Sequence, residues 1–376
     1  MPALRKLRQR WLSIHLYLGL IFAFFLGIAG ITGSLLVFYI ELDEWINPKL
    51  IAKDTSSPYL SYQKIFDAIK ASEPNRSGAW RLEIPEQKNR MISARFYKPT
   101  ETHDHNFAPL MLHIDPFTAE IVSKRLWGQY LMTWIYDLHY TLLLETPGKW
   151  LMALTGLSLL ISLISGLYLW WPSHHKWLTA ISLKRNSSKQ RLNYDIHKLS
   201  GIYSYLVLVT VAVTGIALEI PDYINPVINH FSPIERIIKP LSNGSKGDTP
   251  ISLDQAVAKA QEAFPETPVS WIETPDGDTG SIRVNFRQKG EPSQRFPKTN
   301  VWIDQYSGNL LSIQNPFKQT GGTQIIHWLH PLHSGEALGL IGRILVSLSG
   351  LSLTALIITG MIRWFNKQAI RKQKTP

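Results

Sequence analysis

Two stretches decide the fold: HLYLGLIFAFFLGIAGITG at residues 15–33 and HKLSGIYSYLVLVTVAVTG at residues 197–215. Laid together without a gap, they pair His15 with His197, Gly19 with Gly201, and Thr32-Gly33 with Thr214-Gly215. A second match begins at Leu138 (LHYTLLLETPGKWLMALTGLSLLISLISGLYLW) and at Leu332 (LHSGEALGLIGRILVSLSGLSLTALIITGMIRW). It pairs His139 with His333, Gly148 with Gly342, Gly156-Leu157-Ser158-Leu159 with Gly350-Leu351-Ser352-Leu353, Gly166 with Gly360, and Trp170 with Trp364. Between the matched ends the chain repeats more weakly, HIDPFTAEIVS from His113 resembling WIDQYSGNLLS from Trp302. The chain is therefore a duplicated unit: one helix, one polar domain, one returning helix. Two copies in the same orientation are related by an axis along the membrane normal.

Each matched stretch contains a charge-free apolar run: Leu16 to Ile40, Leu151 to Pro172, Gly201 to Leu218 and Ile344 to Ile362. A helix crosses the hydrocarbon core with roughly 20 apolar residues, so four membrane spans are expected. The first run has 25 residues, too many for a signal-peptide core of about 7–15. Basic residues flank the runs on one side: Arg5, Lys6, Arg8 and Arg10, then Lys176, Lys184, Arg185, Lys189 and Arg191, then Arg363, Lys367, Arg371, Lys372 and Lys374. Short basic segments stay in the cytoplasm, which puts both termini inside and the two long segments outside. Trp11, Trp150, Trp170, Trp171 and Trp364 fall where an interfacial belt belongs.

The expected organisation is a cytoplasmic N-terminus (1–10), a first span (11–40), a first outer α+β domain (41–126), an interfacial helix with His139 (127–146) and a second span (147–172). A basic loop (173–196), a third span (197–220), a second outer α+β domain (221–322), an interfacial segment with His333 (323–337), a fourth span (338–365) and a cytoplasmic tail (366–376) follow. In the outer segments SYQKIFDAIKAS and SLDQAVAKAQEAF have helical apolar spacing after a serine. SIRVNF and TNVWID alternate as strands, the latter ending at QYSGN.

Composition narrows the chemistry. There is no cysteine, which removes disulfides, thiolate metal sites, iron–sulfur clusters, thiol catalysis and covalent haem attachment. A net charge of +11 raises the question of nucleic acid, but much of it borders the apolar runs, where membrane orientation accounts for it. The twelve histidines are the main transition-metal ligands left. Four are matched across the repeat, His15 and His197 at the inner edge, His139 and His333 at the outer edge. A pseudo-twofold axis brings such equivalents towards each other, and two facing imidazoles are the ligand set of a non-covalent b haem. Gly19 lies one turn from His15 on nearly the same face, as Gly201 does from His197, leaving room for a flat macrocycle; close helix packing is the alternative use of such glycines. HWLHPLH also places His327, His330 and His333 at a spacing that zinc or copper could use. Thr133 and Tyr136 stand at the positions equivalent to His327 and His330 in the first copy, so those two are extras suited to propionate or substrate contact. Trp134 and Trp328 are further candidates for substrate or propionate contact, on amphipathic stretches, LWGQYLMTWIYDLH and TQIIHWLHPLH, expected to lie on the membrane surface. His174 and His175 lie in the basic loop, and His103 and His105 in a polar outer loop.

At these residues the chain resembles the PepSY-associated membrane-helix family, over nearly its whole length: the His15/Gly19 and His197/Gly201 helix starts, the DLH ending at His139, PLHSGEALGLIGR, and two PepSY-like outer domains. Within that family it is similar to inner-membrane ferric-siderophore reductases. The resemblance implies two b haems, held by His15 with His197 and by His139 with His333, with His330 as an alternative to His333. It implies reduction of a ferric siderophore in the periplasm. No G-x-G-x-x-G precedes a helix, so the electron donor must be external, a quinol or a cytoplasmic reductase. A siderophore permease and a non-redox regulator binding a peptidase or peptide are the rival readings. Four spans leave a permease little room, and no charged residue lies within the runs.

Overall fold

The computed structural model describes residues 2–184, 186–244 and 248–373. Arg185 and Lys374, two of the basic flanking residues, lie outside the described residues, as do the side chains of Arg371 and Lys372. In chain order the elements are α1 (Pro2–Ile21), α2 (Ala23–Leu36), α3 (Tyr39–Ile46), α4 (Tyr62–Ser72), β1 (Trp80–Glu83), β2 (Ile92–Phe96), β3 (Leu110–Ile114), β4 (Ile121–Leu126), α5 (Leu131–Thr141) and α6 (Glu145–Trp170). They continue with α7 (Trp177–Ala180), α8 (Lys189–Glu219), α9 (Pro221–Phe231), α10 (Leu253–Gln261), β5 (Val269–Glu273), β6 (Ser281–Phe286), β7 (Thr299–Asp304), β8 (Leu310–Gln314), α11 (Gly321–Ser334) and α12 (Gly339–Gln373). These fall into two compact units. A helical unit takes the chain up to Tyr39, Ile135–Ile224 and from Leu329 onward, and a sheet unit takes Ile40–Trp134 and Asn225–Trp328.

In the helical unit α6, α8 and most of α12 are each long and apolar enough to cross a bilayer. α1 and α2 are apolar enough only when taken as a pair, and they are not the single helix expected over 11–40: the pair is bent by 66°. Phe22 leaves the helical region for φ −95°, ψ 3°, the sparsely allowed bridge region. Phe22 N–H still donates to Leu18 O and Leu26 N–H to Phe22 O, so the chain bends there without forming a loop. Its repeat equivalent, Ser204, lies inside the unbroken α8. Helix also replaces part of the expected basic loop, since α8 begins at Lys189.

Small residues set the helix crossings. A Cβ on Gly30 of α2 would stand 2.7 Å from Gly350 O of α12. Beside it Ser34 Oγ donates to Ser347 O at 2.7 Å and Ser347 Oγ to Ser34 O at 3.1 Å. The matched crossing of α8 over α6 uses Ala212 and Gly156. Such close approach is what holds helices together in lipid. The buried core joins Leu26 with its equivalent Leu208, and Leu159 with its equivalent Leu353. The duplication is thus built into the packing.

The sheet unit departs from the expectation of two separate α+β domains. Its eight strands form one antiparallel sheet, ordered β4-β3-β2-β1-β5-β6-β7-β8. The copies join where β1 pairs with β5, Leu82 opposite Ile272. An unpaired strand edge is a liability, and each copy's first strand covers the other's. α4 and α10 cover one face, burying Ile65, Ile69, Ala256 and Ala260 against Leu82 and Ile272. They also cap each other. Asp254 accepts from Tyr62 N–H and Gln63 N–H at 2.9 and 3.0 Å, while its repeat equivalent Gln63 accepts from Leu253 N–H at 2.9 Å.

Candidate functional site

The four matched histidines form two pairs, both inside the helical unit. At the end where the chain begins and ends, the His15 and His197 rings stand 6.3 Å apart, centre to centre. At the opposite end His139 and His333 stand 6.2 Å apart. Each ring is lodged on the other spanning helix of its own copy. His15 on α1 reaches α6, where its Nδ1 lies 3.0 Å from Ser162 O and 3.0 Å from Ser165 Oγ. His197 on α8 reaches α12, with Nδ1 3.1 Å from Leu356 O and 2.9 Å from Thr359 Oγ1. His139 on α5 meets Thr32 Oγ1 of α2 at 2.9 Å. His333 on α11 meets Val211 O and Thr214 Oγ1 of α8 at 3.0 and 3.1 Å.

These partners fix the tautomer. A backbone carbonyl only accepts, so Nδ1 of His15, His197 and His333 carries the proton and donates it. Each hydroxyl already gives its own hydrogen to a carbonyl of its helix: Thr32 to Ile28 O, Ser165 to Ser162 O, Thr214 to Thr210 O, Thr359 to Ala355 O. It is therefore an acceptor towards the ring, and His139 follows the same rule through Thr32. Nε2 is left with its lone pair, and among the described residues none of the four Nε2 atoms makes a hydrogen bond. Metal-ligating histidines are oriented in this way, by a second-shell acceptor on the other ring nitrogen.

Glycines seat the rings. A Cβ on Gly33 or Gly215 would lie 3.0 Å from Cε1 of His139 or His333, and one on Gly166 3.2 Å from Cε1 of His15. On Gly360 it would lie 3.6 Å from Cε1 of His197. The glycines at 33 and 215 thus serve the His139 and His333 imidazoles, while Gly19 has nothing within 4 Å of an added Cβ and Gly201 meets only Leu356 Cδ2 at 3.6 Å. The residues fit a bis-imidazole haem. Each pair presents two Nδ1-anchored rings, 6.3 and 6.2 Å apart centre to centre, whose free Nε2 atoms would hold the iron of such a group.

The alternative metal site at HWLHPLH is not assembled: among the described residues no group of three or more His, Asp or Glu is arranged to hold a metal ion. His333 is the residue that faces His139; His330 sits one turn earlier on α11. His327 Nδ1 is buried without a hydrogen bond, and burial pushes this imidazole down to about 4. Trp134 and Trp328 are exposed. His174 and His175 fall in an exposed turn before α7. The sequence reading missed the hydroxyl anchors. Thr32 and Thr214 were visible as a match, and Ser165 falls on Thr359 in the alignment that pairs Gly166 with Gly360.

Comparison with curated proteins gives no match. The model described as the PepSY-associated TM region matches residues 12–367, nearly the whole chain and all four histidines, and the protein belongs to that family.

Proposed function

We propose that the protein is an oxidoreductase that carries electrons across the bacterial inner membrane through two b haems and reduces a ferric siderophore in the periplasm. The observation that carries this reading is the pair of matched imidazole pairs, each about 6.3 Å apart with Nδ1 anchored and Nε2 free. Basic flanks favour both termini in the cytoplasm, making the His15/His197 pair inner and the His139/His333 pair outer. When bound, the haems supply one-electron chemistry. The chain's part is to hold and tune. Nδ1–H donation orients each ring and raises the basicity of Nε2. Leu26, Leu208, Leu159 and Leu353 fill the middle of the bundle and keep water and ions from the path. His197 and Gly215, which mark the two levels on α8, are 18 residues or about 27 Å apart along the axis. An external quinol or cytoplasmic reductase feeds the inner level. At the outer level each ferric ion takes one electron, and the ferrous product is held less well by hard oxygen donors.

Stopped-flow mixing of pre-reduced protein with a ferric siderophore tests this reading. Haem reoxidation with one ferrous ion formed per electron is expected; haem that stays reduced contradicts it.

A further inference from the structure

The face of the sheet away from α4 and α10 carries an unusual row. Because strand residues alternate between faces, burying Leu82, Ala94 and Ile272 against the helices turns their neighbours the other way. The register then lines up Arg125, Met111, Arg95, Arg81, Glu273 and Arg283 across β4, β3, β2, β1, β5 and β6. Arg81 and Arg95 are direct cross-strand partners in adjacent inner strands, a like-charge pairing that costs stability.

Carboxylates answer most of this charge but not all. Arg125 is bound by Asp43 through two hydrogen bonds of 3.0 and 2.6 Å, and Arg95 pairs with Glu83 at 3.0 Å. Arg283 pairs with Glu273, which Lys239 also reaches at 3.1 Å. Arg81 must share that same Glu273, from 3.9 Å, and its buried Nε has no hydrogen bond. Its guanidinium instead lies over Trp271 at 4.1 Å and Tyr97 at 5.1 Å. Lys298, from the β6–β7 connection, adds a further cation. Among the described residues its ammonium makes no hydrogen bond or ion pair. The carboxylate acting on it, Glu291, is occupied by the N–H groups of Lys298 and Gln288 and by the Thr299 hydroxyl. Burial pushes the Lys298 amine down, and Arg81 and Arg283 push it further.

We propose that Arg81 and Lys298, flanked by Trp271 and Tyr97, bind an anionic ligand with flat aromatic groups; resting on the reductase reading, that ligand is a negatively charged ferric chelate of the catecholate class. Incompletely compensated, partly desolvated cations beside indole and phenol rings suit such a chelate: charge meets charge and catechol rings meet aromatic faces. A neutral trihydroxamate chelate offers no charge to either cation.

Gallium chelates separate binding from reduction, because gallium(III) takes the place of iron(III) and is not reduced. Calorimetric titration of the full-length protein in lipid nanodiscs with a gallium tris-catecholate and a neutral gallium tris-hydroxamate is the test. The anionic chelate should bind the more tightly. Arg81→Gln with Lys298→Gln should weaken it at least tenfold without changing the hydroxamate titration, and Arg81→Lys with Lys298→Arg should keep most of the affinity. Equal affinity for the two chelates, or a Gln variant that binds the anion like the parent with an unchanged unfolding temperature, overturns the proposal. Gallium binding that follows the prediction in a protein whose reduced haems the ferric chelate does not reoxidise would leave this site standing and remove the reductase reading. Reoxidation with charge-insensitive binding would do the reverse.

Discussion

In the helical unit the two copies remain alike at the atoms that matter. Each contributes one imidazole per end, lodged on a spanning helix of its own copy, with the proton on Nδ1 and a glycine beneath Cε1. On the open face of the sheet the same duplication has diverged. Arg81 faces Trp271 as its repeat equivalent, and His113 falls on Trp302 in the match that reveals the repeat. Arg95 is answered by Asn285, which is tied into a ladder through Asn300 to Gln314. On the helix side of that sheet symmetry returns, with Gln63 and Asp254 cross-capping. Symmetry survives where one arrangement is used twice and is lost where a surface is used once. Two equivalent imidazole pairs demand two equal halves, whereas the single anionic ligand proposed for the sheet face has no use for two equal faces.

The sharpest way to break this comparison is to remove one imidazole at a time. His15→Ala and His197→Ala should abolish the same spectral component and His139→Ala and His333→Ala the other, each leaving one haem per chain. Reduced-minus-oxidised spectra of the four variants read this directly; a component lost in both His15→Ala and His139→Ala would disprove the pairing. Next come the seats. Gly33→Val and Gly215→Val should both displace the outer rings and lower haem content, since even a Cβ would stand 3.0 Å from Cε1, and Gly360→Ala, at 3.6 Å, should be tolerated. A smaller effect is expected from the hydroxyl anchors. Thr214→Val and Thr359→Val keep the shape and remove the acceptor, and loss of such a second-shell partner costs about 10–100-fold in metal affinity; haem transfer to apomyoglobin would measure it. Smallest is Asp254→Ala, which should destabilise the sheet unit by about 1 kcal/mol, the value of a lost helix cap, visible in denaturant unfolding with both haems retained.

Much of this was legible because a repeat reads itself. Matching His15 to His197 and His139 to His333 gave the apolar helices and the imidazole pairs together, since equivalents meet across the axis. Gly166 and Gly360 were visible as a match, but their use beneath His15 and His197 depends on which helix each ring leans on, and spacing along one helix cannot say that. Gly33 was visible too, but its service to His139 required knowing that α5, the helix preceding α6, leans on α2. The union of β1 with β5 was hidden because it joins edges about 190 residues apart. Alternation could place Arg81 on a face, but only the register sets it opposite Arg95. Nothing in the run around Phe22, which contains no proline, marks the 66° bend.

Pyridine haemochrome assay of the purified protein, expressed with haem supply assured and normalised to protein mass, tests the central claim most directly. Two b haems per chain are predicted, falling to one when either member of a pair is replaced; a colourless protein, or one haem per chain with all four histidines intact, would contradict it.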